Sequence, residues 1–128
     1  MNYEIKRILV VEDEPAICAL CQRVLTTEGF KTDIAANGKL AQDMLEENDY
    51  ELCLIDIRTP ILDGKQLYQI IAGKNEKLSK GVIFTTGDVA DRYTLDFLEV
   101  TGRPFLPKPF TPDELKTIVR EALRQIVR

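Results

Sequence analysis

The chain has 128 residues, 45% of them hydrophobic and 30% charged, which suits one folded domain over residues 1–128 and excludes a disordered chain. Lys+Arg number 17 against 21 Asp+Glu, a net charge of −4 with no basic cluster, so the composition argues against nucleic-acid binding through phosphate neutralisation. Histidine is absent, which removes Ser-His-Asp triads, Cys-His pairs, His-based zinc sites and any role as a phosphohistidine donor.

Ile8-Leu9-Val10-Val11 is a short β-branched run ending in Glu12-Asp13-Glu14-Pro15, and Pro15 suits a first helical turn. The helix that follows carries Ile17, Leu20, Cys21, Val24 and Leu25 on one face and stops at Gly29. Lys31 to Ala35 reads as a weaker strand, broken at Asn37-Gly38. Leu40, Ala41, Met44 and Leu45 mark a second helix. Leu52-Cys53-Leu54-Ile55 is a buried strand running straight into Asp56. Asp63-Gly64 precedes a third helix with Leu67, Ile70 and Ile71 inward. Val82-Ile83-Phe84-Thr85 is a fourth strand ending at Thr86-Gly87-Asp88, and a fourth helix covers about Val89 to Val100. Phe105-Leu106 is a fifth strand ending at Pro107-Lys108-Pro109. The last helix opens on Thr111-Pro112-Asp113-Glu114, a capping box with proline at the first helical position. Its inward stripe is Leu115, Ile118, Val119, Ala122, Leu123 and Ile126.

Cys18 and Cys21 form a C-x-x-C, and Cys53 lies in an apolar run. A four-thiolate site needs one more ligand than the chain has, and the first two share helical spacing with Ile17, Leu20 and Val24, so all three read as small core hydrophobes. Free thiols fit a reducing cytoplasm. No segment approaches the roughly 20 apolar residues of a membrane span, so no membrane contact by this domain is expected, and the first residues lack a signal-peptide apolar region.

Five βα units with nearly all-apolar strands point to a parallel sheet covered on both faces, an open doubly wound α/β domain. The pattern alone does not give the strand order. Ligands in such sheets bind at the carboxyl ends of the strands. That edge collects Glu12 and Asp13 from the first strand, Asp56 from the third, Thr85 and Thr86 from the fourth and Lys108 from the fifth. Packed carboxylates repel, and a hard divalent cation, Mg²⁺ before others, relieves them while also binding a phosphoryl oxygen. One carboxylate could then attack phosphorus, with Lys108 and a threonine hydroxyl holding the transferred group. Taken one at a time, each residue has a plain structural explanation: a turn or cap for Asp56, the helix dipole for Glu12-Asp13-Glu14, a solvated charge for Lys108.

The stretches ILVVEDEP, LCLIDIRTPILDG, VIFTTGD and FLPKPF resemble, over essentially the whole chain, the receiver domain of two-component response regulators. The resemblance implies a (βα)5 flavodoxin-like fold, strand order 2-1-3-4-5, with five surrounding helices. It implies that Asp56 is the phosphoacceptor and that Glu12 and Asp13 hold Mg²⁺, with the Arg58 backbone carbonyl as a further ligand. Thr86, followed by the small Gly87, is by the same resemblance the switch hydroxyl, and Lys108 is the phosphate-sensing lysine, preceding a cis bond to Pro109. The implied donor is a phosphohistidine on a partner histidine kinase or histidine phosphotransfer domain. Such a domain is not an enzyme in the usual sense, although it catalyses its own aspartyl phosphorylation and dephosphorylation. Phosphorylation would draw Thr86 toward the phosphoryl group and Phe105 inward, reshaping the surface of the fourth helix, fifth strand and fifth helix, where a partner or a second copy of the chain could bind.

Several positions depart from the commonest family pattern. Thr59 and Leu62 stand where methionines are frequent, and Phe105 stands where tyrosine is common and so lacks its hydroxyl. Arg58 and Asp88 are placed, by family analogy, to tune phosphoryl lifetime. Tyr93, Phe97 and Leu98 give the fourth helix more apolar and aromatic character than its core face needs, as an interface would. The ending PFLPKPFTPDELKTIVREAL resembles receivers at the C-terminus of hybrid sensor histidine kinases, and a stand-alone receiver is the other expectation. Two rival readings are a pseudo-receiver that binds partners without phosphorylation and a haloacid-dehalogenase-type phosphohydrolase. The complete set Glu12, Asp13, Asp56, Thr86 and Lys108 argues against the first. Against the second stands the first strand, which ends in Glu12-Asp13-Glu14 rather than a nucleophile with a second Asp two positions on. No glycine-rich phosphate loop is present for nucleotide binding.

Overall fold

A computed structural model describes residues 5–88 and 90–126. Five parallel strands, β1 (Arg7–Val11), β2 (Lys31–Ala35), β3 (Leu52–Asp56), β4 (Val82–Thr86) and β5 (Phe105–Pro107), pair in the order β2-β1-β3-β4-β5. The connecting helices are α1 (Pro15–Thr27), α2 (Gly38–Glu47), α3 (Gly64–Lys74), α4 (Glu76–Ser79), α5 (Arg92–Thr101) and α6 (Pro112–Ile126). This is the flavodoxin-like order, with the strand sequence reversing at β1 and β3.

The two-residue strand period splits the core cleanly. Leu9, Val11, Cys53, Ile55, Val82 and Phe84 face one layer, closed by Ala41 of α2, Leu67 and Ile71 of α3 and Leu98 of α5. Ile8, Val10, Leu52, Leu54, Ile83 and Leu106 face the other, closed by Cys21, Val24 and Leu25 of α1 and Leu115, Val119 and Ala122 of α6. Cys21 and Cys53 are therefore buried on opposite sides of the sheet, and all three cysteines are free. Burial pushes the Cys21 thiol up to about 12, as expected of a packing group rather than a reactive one.

The α6 start forms as its sequence dictates: the Glu114 N–H donates to Thr111 Oγ1, and the Thr111 N–H donates to Glu114 Oε1. All six positions of the expected inward stripe pack into the second layer. Gly102 ends α5 in the left-handed region at φ 65°, which favours glycine.

Three local expectations need correction. The short helix α4 was not anticipated and makes one more than five among the described residues; Asn75 begins it by accepting from the Leu78 N–H. α5 starts at Arg92 rather than near Val89, which lies outside the described residues, because Asp91 accepts from the Tyr93 and Thr94 N–H groups and from Thr94 Oγ1. Cys18 is only half-buried, and its thiol donates to the Glu12 carbonyl at 3.4 Å rather than packing in either core layer.

Candidate functional site

The parallel register brings the strand ends to one edge, as the sequence predicts. Val11 pairs with Ile55, and Asp56 pairs with Thr85, so Glu12 follows β1 at the level where Asp56 closes β3. Glu12 is only 2% exposed. Its Oε2 accepts from the Asp13 and Glu14 N–H groups. Asp13 is exposed and Asp56 is buried, and one carboxylate oxygen from each of Glu12, Asp13 and Asp56 lies within 4.8 Å of the others.

Lys108 arrives from the end of β5. Its N–H donates to the Thr86 carbonyl at 2.8 Å, and its peptide bond to Pro109 is cis. Nζ donates to Asp56 Oδ2 and to Glu14 Oε1, each at 3.0 Å. The same ammonium lies 2.6 Å from Glu12 Oε1, an ion pair at an angle that leaves this buried oxygen without a hydrogen-bond donor. Burial works to lower the Lys108 pKa, but the contacts with Glu12, Asp56 and Glu14 outweigh it and raise the value above the ordinary lysine range. Burial raises the Glu12 pKa, and the nearby Asp56 charge adds to that, while Lys108 and the Glu14 N–H oppose it.

One ammonium against four carboxylates leaves the cluster strongly negative. A buried carboxylate oxygen with no donor, beside two more carboxylates, fits a hard divalent cation with oxygen ligands. Arg58 follows Asp56 by two residues, and its N–H donates to Asp56 Oδ1 at 3.1 Å.

The structure does not bring every expected residue into this cluster. Thr86 is fully buried at the end of β4, and its Oγ1 accepts from the Asp88 N–H at 3.1 Å. Phe105 pairs with Phe84 in register and packs, half-buried, against the first core layer rather than the carboxylates. Phe84 in turn meets Tyr68 and Phe97 edge-to-face, so an aromatic cluster runs from β4 to α3 and α5. Outward on α5, Tyr93 is exposed, with the Lys65 ammonium 3.5 Å from its ring centre; Leu98 is core.

Two contacts were not legible in the sequence. The Arg58 guanidinium pairs with the Asp88 carboxylate across the mouth of the cleft. Glu14, read from the sequence as a helix-dipole residue, touches Lys108 instead. The loop after Asp56 is pressed against α2 through Gly38, where any Cβ would lie 1.8 Å from the Leu62 carbonyl oxygen. In that loop Ile61 is 80% exposed with φ 72°.

The sequence model of the response regulator receiver domain matches residues 8–120. The chain belongs to that family. A receiver domain protein (CheY-like) from Methanospirillum hungatei has a similar structure, with TM-score 0.88, 27% identity, and 97% of this chain and 98% of the other covered. The signal receiver domain of a signal transduction histidine kinase from Syntrophus aciditrophicus gives TM-score 0.85 at 26% identity, covering 96% and 93%. Curated relatives include a response regulator of Synechocystis, 38% identical over 119 residues, which are 91% of this chain and 51% of that protein. The transcriptional regulatory protein TcrA of Mycobacterium tuberculosis is 35% identical over 121 residues, 93% of this chain and 46% of that protein. This receiver chain thus spans about half the length of the curated relatives it matches. No helix among the described residues is long and apolar enough to cross a membrane.

Proposed function

We propose that the chain, over residues 1–128, is a phosphoacceptor receiver domain of a two-component phosphorelay in the cytoplasm. Asp56 is the acceptor, and the donor is a phosphohistidine on a partner histidine kinase or phosphotransfer domain. A carboxylate oxygen of Asp56 attacks phosphorus, the P–O bond forms, and the P–N bond to the donor imidazole breaks. The imidazole leaves with the bonding pair and takes up a proton.

The observation that carries this reading is the meeting of Asp56 and Lys108 within a carboxylate cluster at the carboxyl edge of a receiver sheet. Glu12, Asp13 and Asp56, with the Arg58 carbonyl, are the residues that would hold Mg²⁺. When bound, Mg²⁺ supplies positive charge for the transferred phosphoryl oxygens and offsets carboxylate repulsion. Lys108 neutralises an oxygen of the phosphoryl group, and Thr86 gives up the Asp88 N–H to donate its hydroxyl to another.

That movement empties space beside Thr86, and Phe105 turns in toward it. The signal is a population shift between two states, biased by contacts that only the phosphoryl group makes. It emerges on α5, β5 and α6, where a partner or a second copy of the chain binds.

The test is incubation of the purified chain with Mg²⁺ and acetyl phosphate, read by intact mass. One added phosphoryl group is expected, lost in Asp56→Asn and lost in chelator. Absence of an adduct, with beryllofluoride also failing to bind, would favour the pseudo-receiver reading. Turnover of the donor without an adduct would point to fast self-hydrolysis or to a phosphohydrolase.

A further inference from the structure

Glu14 occupies the N-cap position of α1 in extended backbone, φ −83° and ψ 115°, yet its side chain makes no capping hydrogen bond. The preferred caps at that position are the shorter Asp, Asn, Ser and Thr, so the longer Glu side chain is free to reach elsewhere. Here the Glu14 carboxylate turns away and accepts from Lys108 Nζ at 3.0 Å, across 94 residues of sequence.

An ammonium has three N–H donors. Lys108 Nζ has three carboxylate oxygens around it: Glu12 Oε1, Asp56 Oδ2 and Glu14 Oε1. Two of its N–H groups are hydrogen-bonded, to Asp56 and Glu14, and Glu12 Oε1 lies against it as an ion pair, so a new anion on Asp56 competes with these carboxylates for the ammonium. Glu12 and Asp56 are buried, at 2% and 7% side-chain exposure, and cannot be replaced by water. The Glu14 side chain is 59% exposed and can be. It is the weakest of the three anchors, because an exposed ion pair contributes little once solvent competes.

We infer that Glu14 is a positioning residue that competes with the incoming phosphoryl group for Lys108 and so restrains the loading of Asp56. The inference rests on the phosphoacceptor reading of the site. A second effect acts with the same sign: the Glu14 charge at the mouth of the cleft repels an anionic donor.

The test is the affinity of the whole chain, with Mg²⁺, for beryllofluoride, which mimics the phosphoryl group without any bond-making step. Glu14→Ala is expected to bind about two- to fivefold more tightly, the range open to an exposed ion pair, and Glu14→Asp to return toward the original affinity. A damaged site would bind less tightly, so a gain separates competition from a structural role. The gain is expected to shrink when Lys108 is already alanine, leaving only the part due to charge repulsion. An unchanged or weaker affinity in Glu14→Ala, or a gain that persists undiminished without Lys108, overturns the inference. If the unaltered chain neither binds beryllofluoride nor takes a phosphoryl group from acetyl phosphate, the phosphoacceptor reading itself fails, and the role of Glu14 with it.

Discussion

Lys108 Nζ donates to Asp56 Oδ2 at 3.0 Å although 52 residues separate the two in sequence. Two different strands must end at the same level for this to occur, and β4 lies between them. The ammonium is the only positive group in contact with buried Glu12 and Asp56 among the described residues.

Lys108→Ala therefore leaves two buried carboxylates without their counter-charge. Removing one partner of a buried ion pair costs about 3 kcal/mol, and a fall of that order is expected in urea unfolding without Mg²⁺. The folded-state pKa of Lys108 is raised, so its stabilisation is complete below the unfolded lysine value and is lost as pH rises through the folded one. Alkaline unfolding of the unaltered chain should release this contribution only above the ordinary lysine range.

Asp13 is exposed, while Glu12 and Asp56 beside it are buried. Like charges this close repel, so Asp13→Asn is expected to stabilise the metal-free chain by about 0.5–1 kcal/mol. Mg²⁺ should raise the Tm of the unaltered chain, by about 2.7 kcal/mol of stability at a hundredfold excess over Kd. The rise should be smaller in Asp13→Asn at the same concentration. Thermal melts with and without chelator check both; equal Mg²⁺ shifts in the two chains would remove Asp13 from the metal set.

Asp33 of β2 accepts from Arg7 and from the Tyr50 hydroxyl, each at 2.8 Å. Burial works to raise its pKa, but these two hydrogen bonds and the Arg7 charge hold it below the ordinary aspartate value. A depressed folded pKa gives stability that is present above the unfolded value, about 3.9, and lost as pH falls below it. Asp33→Asn is expected to lower the Tm by a few degrees at pH 7 and to approach the unaltered chain as pH falls through the depressed folded-state value. A difference that persists undiminished in acid would show that charge is not its source.

Ile61 is a β-branched residue at φ 72°, a region costing about 1–2 kcal/mol for an L side chain. Its side chain is exposed, so little packing is lost on removing it. Ile61→Gly relieves the strain but loosens the unfolded chain, leaving a net gain of about 0.5–1 kcal/mol. Urea unfolding should show a higher midpoint; a lower one would mean that Ile61 packs in a way its exposure does not suggest.

The strand ends were legible because a parallel sheet has one carboxyl edge, and buried strands announce themselves as apolar runs. Glu12, Asp13, Asp56 and Lys108 follow from that rule before any contact is known. The order of the strands was not readable from periodicity and came with the family resemblance. The start of α5 at Arg92 was missed because the decisive signal is the short cap Asp91-x-x-Thr94, which competes with a longer apolar pattern. The contacts of Glu14 with Lys108 and of Arg58 with Asp88 were out of reach for a different reason. Each joins side chains far apart in sequence whose directions depend on the finished sheet.

The most direct test of the central claim is chemical trapping of the phosphorylated residue. The chain is loaded with acetyl phosphate and Mg²⁺, reduced with borohydride, which converts an aspartyl phosphate to homoserine, and mapped by peptide mass spectrometry. Conversion at Asp56 alone is the predicted result. Conversion at Asp13 or another carboxylate with Asp56 intact, or no conversion in a chain that binds Mg²⁺, would contradict the assignment of Asp56 as the phosphoacceptor.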